Sequence, residues 1–108
     1  MSEGVPIVRL DGELDISRAA SLRTQLLRAA GNRDAGLVVD LSDATYMDSA
    51  GVNVLFEVSE ALKERQLEFA VVVPDGGLVE RVVTLVDLSS VARLHRSADA
   101  AVTDIRGG

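Results

Sequence analysis

Gly36-Leu37-Val38-Val39-Asp40-Leu41 is a short apolar run bounded by turn-forming residues. A strand with one solvated face alternates apolar and polar side chains, whereas a run without alternation belongs to a strand covered on both faces. Such a strand needs packed layers above and below it. A small protein supplies them by alternating strands with amphipathic helices around a central sheet.

The rest of the chain carries that alternation. Pro6 to Leu10 reads as a strand, with Asp11-Gly12-Glu13-Leu14-Asp15 as an acidic connection leaving it. Ser17 or Asp15 is placed to cap a helix in which Ala19, Leu22, Leu26 and Ala30 recur at helical spacing, Gly31 stops it, and Arg18, Arg23 and Arg28 take the solvated side. After the central strand and a connection from Ser42 to Met47, the spacing predicts a helix over Ser49 to Arg65 with Val52, Leu55, Phe56, Ser59 and Leu62 on one face. Leu67 to Val73 is the next strand, ended by Pro74 and Asp75-Gly76-Gly77. A helix from Leu78 to Val86 sets Val79, Val82, Val83 and Val86 against the sheet. Val91 to Leu94 forms a last strand, and Ser97 caps a helix through Ala98, Ala101, Val102 and Ile105, leaving Gly107-Gly108 as a tail. The expected fold is a single α/β domain over residues 1–108, with a mostly parallel sheet, right-handed crossovers and about four helices.

Composition removes several function classes. With 108 residues and a charge of −6, from 17 acidic and 11 basic residues, the chain would repel a nucleic-acid backbone, so no direct nucleic-acid partner is expected. No apolar run approaches the roughly 20 residues of a membrane helix, and Met1-Ser2-Glu3-Gly4 lacks a signal core, so a cytoplasmic protein with no membrane association is expected. Absence of cysteine excludes disulfides, thiolate catalysis and Cys-based metal sites. No cofactor or metal is expected.

Enzymatic readings lack convergent groups. Around Ser49, Met47 stands where a hydrolase elbow needs glycine, and His95 is the single histidine available as a base. Asp40 at the end of the central strand invites comparison with phospho-aspartate receivers, but the single lysine, Lys63, lies inside the second helix and not near the last strand. Asp75-Gly76-Gly77 lacks the spacing of a phosphate loop and reads as a turn. Asp11, Glu13 and Asp15 read as a solvated, helix-capping surface.

Asp48-Ser49-Ala50-Gly51 remains. It places a serine hydroxyl at a helix N-terminus beside a carboxylate and a glycine, where free backbone amides favour an added anion. Asp and Ser are also ordinary helix caps, and Gly51 also suits close helix packing. The residues alone leave both readings open.

Gly12-Glu13-Leu14-Asp15, Leu37-Val38-Val39-Asp40-Leu41 and Tyr46-Met47-Asp48-Ser49-Ala50-Gly51-Val52, in this order and spacing, resemble the STAS family and, more narrowly, the bacterial anti-sigma factor antagonists. The resemblance runs from about Ile7 to Val102 and implies a STAS-like sheet of four to five strands. It implies that Ser49 is a regulatory phosphoserine, with Asp15, Asp48, Ser49, Ala50, Gly51 and Asn53 on the partner-binding face. The implied partners are an anti-sigma factor with a histidine-kinase-like ATPase domain acting as serine kinase, and a PP2C-type phosphatase; the chain itself would be a monomer or weak homodimer and not an enzyme.

Three departures stand out. The family's additional opening strand is short or missing before Ile7, Ala50 replaces a common Ser or Thr, and Asn53 replaces a frequent glycine. The alternative within the family is a docking or scaffold module not switched by phosphate, of stressosome or transporter-associated type.

Overall fold

The computed structural model describes residues 4–31 and 35–107. Four parallel strands, β1 (Ile7–Leu14), β2 (Gly36–Met47), β3 (Glu68–Val72) and β4 (Arg93–His95), lie in that order in one sheet. Three helices connect them: α1 (Ala19–Ala29), α2 (Ser49–Glu64) and α3 (Gly77–Leu85). A fourth, α4 (Ala98–Gly107), closes the described chain. The α/β architecture and parallel sheet match the sequence expectation, with four strands among the described residues. Val5 forms only an isolated bridge ahead of β1.

Strand residues alternate between two cores, as a period of two requires. Leu37, Val39, Leu41, Phe69, Val71 and Val73 face α1, α2 and α3 in the larger core. Val38, Ala70 and Val72 face the other way, against Val5 and the Ala101, Val102 and Ile105 stripe of α4. The central apolar run is therefore covered on both faces.

Several boundaries differ from the sequence reading. Asp11 to Leu14 and Ser42 to Met47, read as connections, continue β1 and β2. Their pairing is irregular, with register shifts between Arg9 and Asp11 and between Gly12 and Glu13, and Gly12 takes a positive φ of 69°. Polar, turn-forming residue types thus sit inside a bulged ladder. Arg18 is not on the solvated side: its Nη1 donates to the carbonyls of Asp11 and Glu13 at 2.7 and 2.8 Å, occupying acceptors on the outer edge of β1. Arg23 pairs with Glu57 across α1 and α2.

Neither Asp15 nor Ser17 caps α1. Arg18 is the N-cap and makes no side-chain capping bond, since a guanidinium has no acceptor, while the Asp15 carboxylate is held by Ser17. The helix ends at Ala29 with Ala30 as an extended C-cap, so Gly31 follows directly after the cap. The last strand begins two residues later than expected, since a short 3₁₀ turn (Leu88–Ser90) seats Leu88 in the core and the buried Ser59 hydroxyl donates to the Val91 carbonyl. Ser97 does cap α4, its Oγ accepting from Ala100 N, and that helix runs through Gly107. Gly108 lies outside the described residues.

Candidate functional site

The C-terminal ends of β1 and β2 come together where α2 begins. Leu14 and Met47 are register partners, and the Asp48 amide donates to the Leu14 carbonyl at 3.3 Å. Ligand and docking sites of parallel sheets gather at this end of the strands, where the chain turns outward.

Asp48 is the α2 N-cap in extended conformation, and its Oδ1 accepts from the amides of Ala50 (2.9 Å) and Gly51 (3.1 Å). Two of the free amides of the helix N-terminus are thereby satisfied. Ser49, the first residue of the helix, is exposed, and its hydroxyl makes no hydrogen bond among the described residues. A nucleophilic oxygen accessible from solvent is what modification by a second protein requires.

Gly51 is buried and supports this geometry from below. A Cβ there would stand 2.3 Å from the Leu14 carbonyl oxygen and 2.9 Å from Met47 Cγ, so only glycine lets α2 approach the sheet so closely. Its part in the site is to set the height of the helix, which the capping-and-packing reading anticipated.

The other members of the expected face lie around this turn. Asp15 follows the end of β1 and holds the Ser17 amide and hydroxyl at 3.1 and 2.6 Å. The Ser17 hydroxyl bond, with the Ser17 and Arg18 amides and the Arg18 charge, keeps the Asp15 carboxyl below its ordinary value. Asn53 is exposed one turn into α2, and Ala50 is half-buried between it and the cap. Both line a shallow groove between α1 and α2, with Ile16, Ala20 and Val54, bounded at its far end by the Arg23–Glu57 pair at 3.1 Å.

Sequence reasoning missed Ile16. This residue is 78% exposed, and its backbone amide donates to the second Asp48 oxygen, Oδ2, at 3.3 Å. An isolated apolar side chain between Asp15 and Ser17 has no periodic signal to mark it.

The remaining sequence candidates lie elsewhere. Asp40 is buried, with Oδ1 accepting from the amide and hydroxyl of Ser42 at 2.9 and 2.6 Å and Oδ2 3.5 Å from Arg9 Nε. That carboxylate is enclosed by partners. His95 lies in β4, two strands away from β2, with its Nε2 2.8 Å from Asp104 Oδ2 on α4. Lys63 is exposed near the end of α2. Among the described residues no three His, Asp or Glu side chains form a group able to hold a metal ion, and no helix is long and apolar enough to cross a membrane.

Fold and site together define a small α/β domain with a serine at the helix N-terminus beside the paired ends of β1 and β2. The chain belongs to the STAS domain family, whose model matches residues 1–101. It is 30% identical over 105 residues to the anti-sigma-F factor antagonist RsfB of Mycobacterium tuberculosis, covering 97% of this chain and 84% of that protein. The crystal structure of an anti-sigma factor antagonist from Mycobacterium paratuberculosis superimposes with a TM-score of 0.86 at 28% identity, covering 98% of this chain and 89% of that one. The murine Slc26a9 anion transporter contains the same fold, with a TM-score of 0.82 at 18% identity, covering 97% of this chain and 18% of the transporter.

Proposed function

We propose that the chain is an anti-sigma factor antagonist switched by phosphorylation of Ser49. Unmodified, it binds an anti-sigma factor that is also a histidine-kinase-like ATPase, and so frees the sigma factor. The kinase transfers the γ-phosphoryl group of ATP to Ser49 Oγ, with loss of the hydroxyl proton, and a PP2C-type phosphatase restores the hydroxyl by hydrolysis. The reading includes a cytoplasmic location and a monomer or weak homodimer. It rests foremost on one observation: Ser49 is exposed, with no hydrogen bond from its hydroxyl among the described residues, at the capped start of α2, on a chain with relatives named antagonists.

The electrostatics give the switch its direction. A phosphoserine adds roughly −1.5 to −2 charge, partly offset by the α2 N-terminus and opposed by the adjacent Asp48 carboxylate. The fold survives because Ser49 is at the surface, while a partner docked there must bury an imperfectly compensated charge. Each 1.4 kcal/mol lost weakens the complex about tenfold.

The test is reconstitution with the serine-kinase anti-sigma factors of the same organism. Release of a sigma factor by the unmodified chain, and loss of release with Ser49→Asp, are the expected results. Equal release by both would contradict the switch.

The fold shared with a transporter-attached domain favours one other reading, a docking or scaffold module not controlled by phosphate. Assembly size separates the two, since a scaffold subunit enters a large complex and the antagonist does not.

A further inference from the structure

The Asp48 carboxylate serves two elements at once. Oδ1 caps α2 through the Ala50 and Gly51 amides, and Oδ2 accepts from the Ile16 amide in the β1–α1 turn, 32 residues away in the chain. Other hydrogen bonds of residues 15 to 17 stay within the turn or lead into α1: the Ser17 amide and hydroxyl reach Asp15, Arg18 N reaches the Asp15 carbonyl, and Ala19 N reaches the Ile16 carbonyl. With its side chain 78% exposed, Ile16 is not anchored by packing. Among the described residues, the Asp48 bond is the hydrogen bond that ties this turn to α2.

We propose that Asp48 is a latch through which a phosphate on Ser49 releases the Ile16 turn, so that modification alters the shape of the docking face as well as its charge. The proposal rests on the reading of Ser49 as the modified residue. A phosphate on the neighbouring residue brings three strong acceptor oxygens and about −1.5 to −2 charge to the amides that Asp48 Oδ1 now holds. It competes for those donors and repels the carboxylate. A carboxylate displaced from the Ala50 and Gly51 amides carries Oδ2 away from Ile16 with it, since both oxygens belong to one rigid group. The exposed Ile16 side chain, which borders the α1–α2 groove along with Ala50 and Asn53, then loses its fixed position. Asp48 acts here as a positioning residue.

Amide-resolved hydrogen exchange tests the latch without any kinase. Three forms of the full chain are compared: unmodified, phosphoserine installed at position 49 during synthesis, and Asp48→Asn. An asparagine caps helices about as well as aspartate, but it offers one acceptor oxygen where the carboxylate offers two, so it keeps the cap and gives up the Ile16 bond. The expected result is Ile16 exchange faster by about tenfold in both altered forms, the scale of one hydrogen bond's net contribution, with the Val39 and Leu41 amides accelerated by no more than the accompanying fall in global stability, as references for the intact sheet. An Ile16 amide equally protected with and without the phosphate would overturn the latch, as would one unprotected in the unmodified chain. Neither result bears on whether cells phosphorylate Ser49, which phosphosite mapping decides separately. Conversely, an absent cellular phosphate would remove the switch and leave the exchange result standing.

Discussion

Gly51 and the Leu14 carbonyl oxygen are so close that a Cβ at position 51 would stand 2.3 Å from that oxygen. The contact seats the first turn of α2 on the end of β1 and so fixes where Ser49 emerges. Gly51→Ala must push the helix away or distort the strand end, at about 1–3 kcal/mol of stability, the range for overpacked interiors. Urea unfolding measures it. Gly107→Ala, where a Cβ meets nothing within 4 Å, is the matched control and should not lower the midpoint.

Removing the Asp48 side chain has a different signature. Asp48→Ala leaves the Ala50 and Gly51 amides uncapped and should cost about 1 kcal/mol, while Asp48→Asn should cost less. The expected order of urea midpoints is wild type, Asn, then Ala; an alanine variant as stable as wild type would show that the cap carries no stability.

At Ser49 the two substitutions should diverge in binding and agree in stability. The hydroxyl is exposed and unbonded among the described residues, so neither Ala nor Asp removes a packing contact. Calorimetric titration of the anti-sigma partner should give Ser49→Ala an affinity near wild type and Ser49→Asp one weaker by about tenfold or more, a difference of about 1.4 kcal/mol. Normal affinity of Ser49→Asp would count against the electrostatic account.

Acid should weaken the fold through three carboxylates. Asp15, held by the Ser17 hydroxyl, Glu80, held by the Arg96 guanidinium, and Asp104, held by His95 with help from Arg93, all lie below their ordinary values. A carboxyl with a depressed value in the folded state binds fewer protons there than in the unfolded chain, so stability rises with pH in that window. Their contribution is present above the ordinary values of 4.5 for Glu80 and 3.8 for the two aspartates and is lost as pH falls through the lower folded values. Urea midpoints should therefore fall below about pH 4.5, and Asp104→Asn should flatten that fall. A slope identical in the variant would remove Asp104 from the explanation.

Legibility from sequence followed the range of the interactions. The Gly36–Leu41 run, the helical stripes of α1, α2 and α4, and the Ser97 cap depend on neighbours within a few residues, and the structure has them in place. The second halves of β1 and β2 were hidden because Asp11, Gly12, Glu13, Ser42 and Asp43 carry turn chemistry, and only pairing across the sheet and the Arg18 clamp make them strands. The candidate site divides the same way. Asp48 and Ser49 could be placed at a helix start from local pattern, but the Asp48–Ile16 bond and the Gly51–Leu14 contact join segments more than thirty residues apart. No local pattern encodes them.

The switch itself is tested most directly by intact-mass measurement and phosphosite mapping after incubation with ATP and lysate of the host organism, with Ser49→Ala in parallel. The account predicts one added phosphate, located on Ser49 and absent from the variant. An unmodified chain, under conditions where a partner-switching pair from another organism is phosphorylated, would contradict it.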